Sequence, residues 1–155
     1  MPLMTTKPMF DLAYNGGFAV GAFNVNNMEL AQAIVDACAK EKSPLILQIS
    51  KGARKYANIR YLKAIIDAAV EEYPALPIAI HCDHGDTVEL IQQCVNDGYT
   101  SVMIDGSHHP YDQNVKLTAR SRSAPTGHPG RQLLPSDPVS TRVSRQENGS
   151  GRAAR

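Results

Sequence analysis

The stretch PIAIHCDHGDTVEL, Pro77 to Leu90, sets the apolar run Ile78-Ala79-Ile80 directly before His81, Cys82, Asp83 and His84. The run reads as a buried strand. A strand that ends in two imidazoles, a thiol and a carboxylate delivers groups that carry protons and bind metal ions. Neighbouring side chains on a strand point to opposite faces, so His81 turns away from Cys82. It is expected to be a hydrogen-bonded supporting histidine rather than a ligand. Asp83 and His84 are the candidate working pair.

Such a pair needs a scaffold, and the flanking sequence alternates strand and helix from Thr5 to Ser107. Thr5 or Thr6 is expected to cap a short helix that runs through Tyr14 and stops at Gly16-Gly17. FAVGAFNV (Phe18–Val25) reads as a first strand, and a helix from about Asn27 to Lys42 is expected to bury Leu30, Ile34, Ala37 and Cys38. PLILQIS (Pro44–Ser50) is a near-continuous apolar strand, the pattern of a strand covered on both faces. KGARKYAN reads as a loop, and the helix after it carries the clearest stripe in the chain: Leu62, Ile65, Ile66, Ala69, Val70 and Tyr73. The third strand spans Ile78 to Cys82. Asp86-Thr87-Val88-Glu89 then resembles a capping box opening a helix that buries Val88, Ile91, Cys94 and Val95 and ends at Asn96-Asp97-Gly98. SVMID (Ser101–Asp105) is a fourth strand, and YDQNVKLT begins a further helix.

Strands that alternate with helices in this way predict an α/β fold with a parallel sheet and right-handed crossovers. Sites in such sheets lie at the carboxyl ends of the strands. Those ends hold Asn24, Ser50, Asp83 with His84, and Asp105 with Ser107, all polar beside apolar strand interiors. Lys51, Arg54 and Lys55 form a small basic cluster that suits either a phosphate or a solvated loop, and His108-His109 reads as surface.

Length and composition narrow the class. At 155 residues the chain has room for one domain with a real core. No apolar run approaches the roughly 18 residues of a membrane span, and no signal sequence follows Met1, so a membrane or secreted role is not expected. Cys38, Cys82 and Cys94 are odd in number and lack CxxC spacing, which predicts packed, reduced thiols and a cytoplasmic location. The charge changes abruptly along the chain. Residues 1–119 hold nine Lys and Arg against thirteen Asp and Glu, whereas 120–155 hold seven Arg against Asp137 and Glu147.

Taken in order, GAFNVNN, ILQISKGARKY, HCDHGD and SVMIDGSH resemble the class II, metal-dependent fructose-bisphosphate aldolases over residues 1 to about 118. The resemblance implies an eight-stranded TIM (β/α) barrel of which this chain carries the first four units. It implies reversible zinc-dependent cleavage of a ketose bisphosphate, fructose 1,6-bisphosphate, to dihydroxyacetone phosphate and glyceraldehyde 3-phosphate. By the same resemblance Asp83 is the proton-transferring carboxylate, His84 a Zn2+ ligand, and Asp105 a carboxylate of a second or alternative metal position. Ser50 then contacts the glyceraldehyde-phosphate end of the substrate, and Asn24 helps hold the substrate near the metal. A tagatose-bisphosphate aldolase is an alternative within the same chemistry. A non-catalytic α/β module with a basic binding tail is the alternative outside it, although nucleic acid is not the expected partner.

The pattern departs from the family after NVKLT. The sequence from Ala119 onward has no aromatic residue, no Lys and four prolines, and Ser, Gly and Arg dominate it. Composition predicts a disordered tail over 119–155, beside a partial barrel over 1–118. The switch from Lys to Arg within a helix favours an out-of-frame translation over an evolved basic tail. A catalytic zinc site takes three protein ligands and an open position. The family draws two further histidines, a glutamate and Gly-rich phosphate loops from later strands, so this chain is expected to have little or no aldolase activity by itself. A partial barrel leaves its fourth strand with a bare edge, and a homodimer is one way to cover it.

Overall fold

Leu45-Ile46-Leu47 and Ile78-Ala79-Ile80 are apolar at every position, and they form adjacent central strands whose two faces are both covered. The computed structural model describes residues 3–123 and the backbone of residues 139–141. Helices α1 (Thr6–Gly16), α2 (Met28–Lys40), α3 (Lys51–Ala57), α4 (Ile59–Glu72), α5 (Val88–Asn96) and α6 (Tyr111–Ser123) accompany five strands. These are β1 (Gly21–Asn24), β2 (Leu45–Ser50), β3 (Ile78–Gly85), β4 (Ser101–Ile104) and β5 (Val139–Thr141). Sheet order equals chain order, and every pair is parallel, as the alternating pattern predicts.

The two faces of the sheet differ. Leu47, Ile49, Ile80, Cys82 and Ile104 pack against Ala31, Val35 and Cys38 of α2, Leu62 and Ile66 of α4, and Ile91, Cys94 and Val95 of α5. Leu47, Leu62, Ile66, Ile80 and Ile91 are wholly excluded from solvent, and each such burial is worth about 1.5–3 kcal/mol. On the other face Ile46 and Ala79 meet only Met9 of α1, with Met4 and Val20 beside them. Gly17 ends α1 in the left-handed conformation, at φ 66°.

Register stacks this second face in layers. Ala22, Ile46 and Ala79 lie side by side, then Asn24, Gln48, His81 and Ser101, then Ser50 and Asp83. The face therefore passes from apolar beside α1 to polar at the carboxyl ends.

Several elements differ from expectation. α2 buries Ala31, Val35 and Cys38, half-buries Ile34 and leaves Leu30 and Ala37 exposed, so its buried face is turned by about one residue from the expected one. KGARKYAN is not a loop: Lys51–Ala57 is helical, capped by the Ser50 hydroxyl, which accepts from Ala53 N–H at 3.2 Å. Asn58, at φ 58°, breaks this helix from α4. β1 covers only Gly21–Asn24, whereas β3 continues to Gly85. α6 runs beyond Thr118 to Ser123 without an apolar stripe, and Thr118, Ser121 and Ser123 each bond a carbonyl four residues back. The fourth strand does not have a bare edge, since Val139–Thr141 pairs with Val102–Ile104. Apart from this strand, the expected disorder beyond Ser123 lies outside the described residues.

β3 carries one residue too many for β4. His81 pairs with Ser101 and Cys82 with Val102, but Gly85 pairs with Ile104, so Asp83 and His84 together oppose Met103. This is a bulge, and His84 adopts φ 52° within it. Gly85 closes the bulge against its neighbours: a Cβ there would lie 2.5 Å from Ile91 Cδ1 and 2.9 Å from the Met103 carbonyl. Gly85→Ala is therefore expected to destabilise the fold by about 1–3 kcal/mol. Urea unfolding measures it, and an unchanged midpoint would show that the bulge yields freely.

Candidate active site

Asp83 stands on the polar layer of the sheet beside Ser50, its side chain 17% exposed. Gln48 on the neighbouring strand donates its Nε2–H to Asp83 Oδ1 at 3.3 Å. That bond leaves Oδ2 as the freer acceptor.

His84 follows in the bulge and is about half exposed. Its Nδ1 lies 2.6 Å from Asp105 Oδ2, and its Nε2 lies 3.7 Å from Asp83 Oδ1. Asp105, the first residue after β4, is itself fixed. Its N–H donates to the Gly85 carbonyl at 2.7 Å, and its Oδ1 accepts from Ser107 N–H at 3.0 Å. Ser107 first, and then His84, hold the Asp105 carboxyl well below the usual carboxylate range. An ionised Asp105 only accepts, so the hydrogen of this bond lies on His84 Nδ1.

An imidazole in this state, with Nδ1–H tied to a carboxylate, suits zinc through Nε2. It fills one ligand position. Among the described residues no group of three or more His, Cys, Asp and Glu side chains could hold a metal ion. The metal site is therefore a fragment, and no reaction step can be derived through a metal from these residues.

The structure thus gathers Asp83, His84 and Asp105 into one contact set. It places Ser50 and Asn24 at the same carboxyl edge on the two preceding strands. Ser50 also serves as the cap of α3. Asn24 is exposed at the end of β1.

Sequence reading passed over Gln48, although it is the one polar residue within Leu45–Ile49. It also passed over the partners of His81. His81 Nδ1 lies 2.8 Å from the Ser101 hydroxyl, to which Thr6 Oγ1 donates at 3.5 Å. Burial pushes the His81 imidazole below its ordinary pKa and so favours the neutral ring. Thr6, Phe10, Gln48, His81, Asp83 and Ser101 line a cavity of about 250 Å³ beneath the site.

Two of the three basic residues near Ser50 are already committed. Lys51 pairs with Asp86, while Arg54 bonds Asp97 at 2.7 Å and the Tyr99 hydroxyl at 3.1 Å. These bonds pin α3 to the connections on either side of α5. His108 and His109 are exposed, as expected.

The depressed pKa of Asp105 links stability to pH. Its contribution is full above the ordinary carboxylate value of roughly 3.9 and is lost as the pH falls from there toward its lower folded value. The unmodified chain should therefore exceed Asp105→Asn in urea midpoint at about pH 5, and the margin should shrink as the pH falls below about 4. Urea titrations at several pH values measure it, and a margin independent of pH would refute the assignment.

Comparison with known proteins places this arrangement. Residues 4–124 match the family model for class II fructose-bisphosphate aldolase. The chain is 52% identical over 118 residues to a fructose-bisphosphate aldolase of Giardia intestinalis, covering 76% of this chain and 36% of that protein. It is 49% identical over 122 residues to a fructose-bisphosphate aldolase of Treponema pallidum, covering 76% and 37%. The fold superposes on the crystal structure of the YdjI aldolase from Escherichia coli with a TM-score of 0.71 at 26% identity, covering 77% of this chain and 46% of that one. The chain thus spans a little over a third of the length of these two relatives, and its parallel strands correspond to part of their barrel fold. Over the residues that carry the fold and the candidate site, it belongs to the class II fructose-bisphosphate aldolase family.

Proposed function

We propose that this chain carries the proton-transferring part of a zinc-dependent aldolase site whose substrates are fructose 1,6-bisphosphate and the two triose phosphates. The observation that supports the reading is His84 held between two carboxylates, with Nδ1 bonded to Asp105 and Nε2 turned toward Asp83. Zinc, when bound, supplies Lewis-acid polarisation of the ketose carbonyl. His84 offers it Nε2. Asp83 takes the proton from the C4 hydroxyl in cleavage and returns it in condensation. Gln48 holds one oxygen of Asp83 and so orients the other.

Asp105, read as a ligand of a second metal position, spends both oxygens on His84 and Ser107. In this arrangement it orients the His84 ring through Nδ1, and each oxygen keeps a second lone pair for a metal. Ser50 accepts from Ala53 N–H and keeps its hydroxyl hydrogen for the glyceraldehyde-phosphate end of the substrate. Asn24 extends the same edge. The free thiols Cys38, Cys82 and Cys94 fit a reducing, cytoplasmic setting. Among the described residues no helix is long and apolar enough to cross a membrane.

The sequence from residue 119 onward belongs, on this reading, to another frame. Translating the encoding DNA in all three frames from the codon of Asn114 tests that. A frame that resumes apolar strands with two histidines at strand ends supports it, and the absence of such a frame overturns it.

Among the described residues the chain supplies one of the three protein ligands that a catalytic zinc needs. It is expected to cleave fructose 1,6-bisphosphate no faster than a zinc blank in a coupled assay. Joining residues 1–118 to the remaining units of the Giardia relative tests the roles. In that chimera Asp83→Asn should lower kcat by about 10²–10⁴ with bound zinc unchanged, whereas His84→Gln should lose the zinc. An unaffected kcat in Asp83→Asn, or loss of zinc from it, would refute the assigned role.

A further inference from the structure

The candidate site uses none of the three cysteines. Cys38 sits on α2, whereas Cys82 on β3 and Cys94 on α5 are wholly excluded from solvent and hydrogen-bond to each other through their side chains. The course of α5 back along β3 explains the contact. A Cβ at Gly85 would lie 2.5 Å from Ile91 Cδ1. Cys94 follows Ile91 by three residues on the same face of the helix, and Cys82 precedes Gly85 by three on the strand. Cys82 shares with Ile80 the strand face that the helices cover. Arg54 stands beside the pair, held by Asp97 at 2.7 Å and by the Tyr99 hydroxyl at 3.1 Å. The Tyr99 N–H in turn donates to the Cys94 carbonyl at 3.0 Å. The bond from the Cys82 thiol, aided by the charge of Arg54 and opposed by burial, holds the Cys94 thiol below its ordinary pKa.

We propose that Cys82 and Cys94 are a redox pair, which a hydroperoxide closes to a disulfide inside the folded core. The Cys94 thiolate attacks one peroxide oxygen, the O–O bond breaks, and the departing hydroxide takes up a proton and leaves as water. The Cys82 sulfur then attacks the sulfenic acid at Cys94. The S–S bond forms as the S–O bond breaks, and the hydroxyl leaves with the Cys82 proton as a second water. Two thiols lose two electrons and one peroxide gains them. Thiols already in contact need only close to the roughly 2.05 Å of a disulfide. Hydrogen peroxide is little larger than water, so a local opening at α5 admits it without global unfolding. A thiol reductant reverses the bond by exchange, so the pair stays open in a reducing compartment. Cys82 directly precedes Asp83, and the closed bond would therefore tether β3 to α5 at the residue where the bulge begins.

Peptide mapping of the full chain after hydrogen peroxide is the test. The folded chain is treated, quenched, unfolded, alkylated and digested. No Lys or Arg lies between Lys63 and Lys116, so trypsin leaves both cysteines in one peptide, and cleavage after Glu89 separates them. That tryptic peptide should lose two hydrogens and escape alkylation at both cysteines, while Cys38 is alkylated in full. Cleavage after Glu89 should then yield two fragments joined until a reductant is added. Cys94→Ser should abolish the linkage. Should that variant fail to fold, the unmodified chain decides by itself, because the linkage must form without urea. Alkylation of Cys82 and Cys94 unchanged by peroxide, a linkage that forms only in urea, preferred bonding to Cys38 or between chains, or oxidation that ends at sulfinic acid would each overturn the proposal.

Discussion

The candidate site depends on one extra residue in β3. On a regular strand Asp83 and His84 would point to opposite faces of the sheet, one into the polar layer and one among the helices. The bulge between Cys82 and Gly85 cancels that alternation and brings the His84 ring to 3.7 Å from Asp83 on the same edge. The positive φ of His84 costs about 1–3 kcal/mol. Its bond to Asp105 and the bond between Asp105 N–H and the Gly85 carbonyl offset part of that cost. The strain, the orientation of the His84 ring and the spacing of the two carboxylates are therefore consequences of a single local feature.

The surroundings hold that feature from three sides. Gln48 reaches Asp83 from β2, Ser107 reaches Asp105 from the segment after β4, and Lys51 ties α3 to Asp86 just beyond the bulge. Arg54 adds a second anchor at Asp97 and Tyr99, at the far end of α5. Exposed pairs such as Lys51–Asp86 are worth little individually. Their effect here is positional, because they fix the connection that follows the candidate site.

Much of this was legible in the sequence because apolar period and turn residues act locally. The stripe from Leu62 to Tyr73 packs as its spacing predicts, and the apolar runs at Leu45 and Ile78 became the two central strands. Sheet order follows from the same alternation. What escaped depended on contacts between segments. KGARKYAN reads as a loop by itself, while the Ser50 cap and the packing of Ala53 and Ala57 make it a helix. The Asp83–His84 pair was readable as a candidate, but the bulge was not, because it is defined only against the register of β4. Gln48 and Ser107 gain their meaning in the same way, from a neighbouring strand or loop that sequence spacing does not locate.

The two faces of the sheet divide the apolar core from the candidate site. Each strand-helix unit buries its own apolar face against the next, so the helix-covered core forms from units that are all present in this chain. The other face is different. In a closed barrel, strands across the interior fill it, and here α1 covers only its apolar layer through Met9. Gln48, His81, Asp83 and Met103 remain partly exposed above that layer. A catalytic zinc draws ligands from several strands around the mouth, so it depends on the face that is left unfilled. The packing that orders Asp83 and His84 is therefore complete within the described residues, whereas the face onto which Asp83 looks is not filled by them.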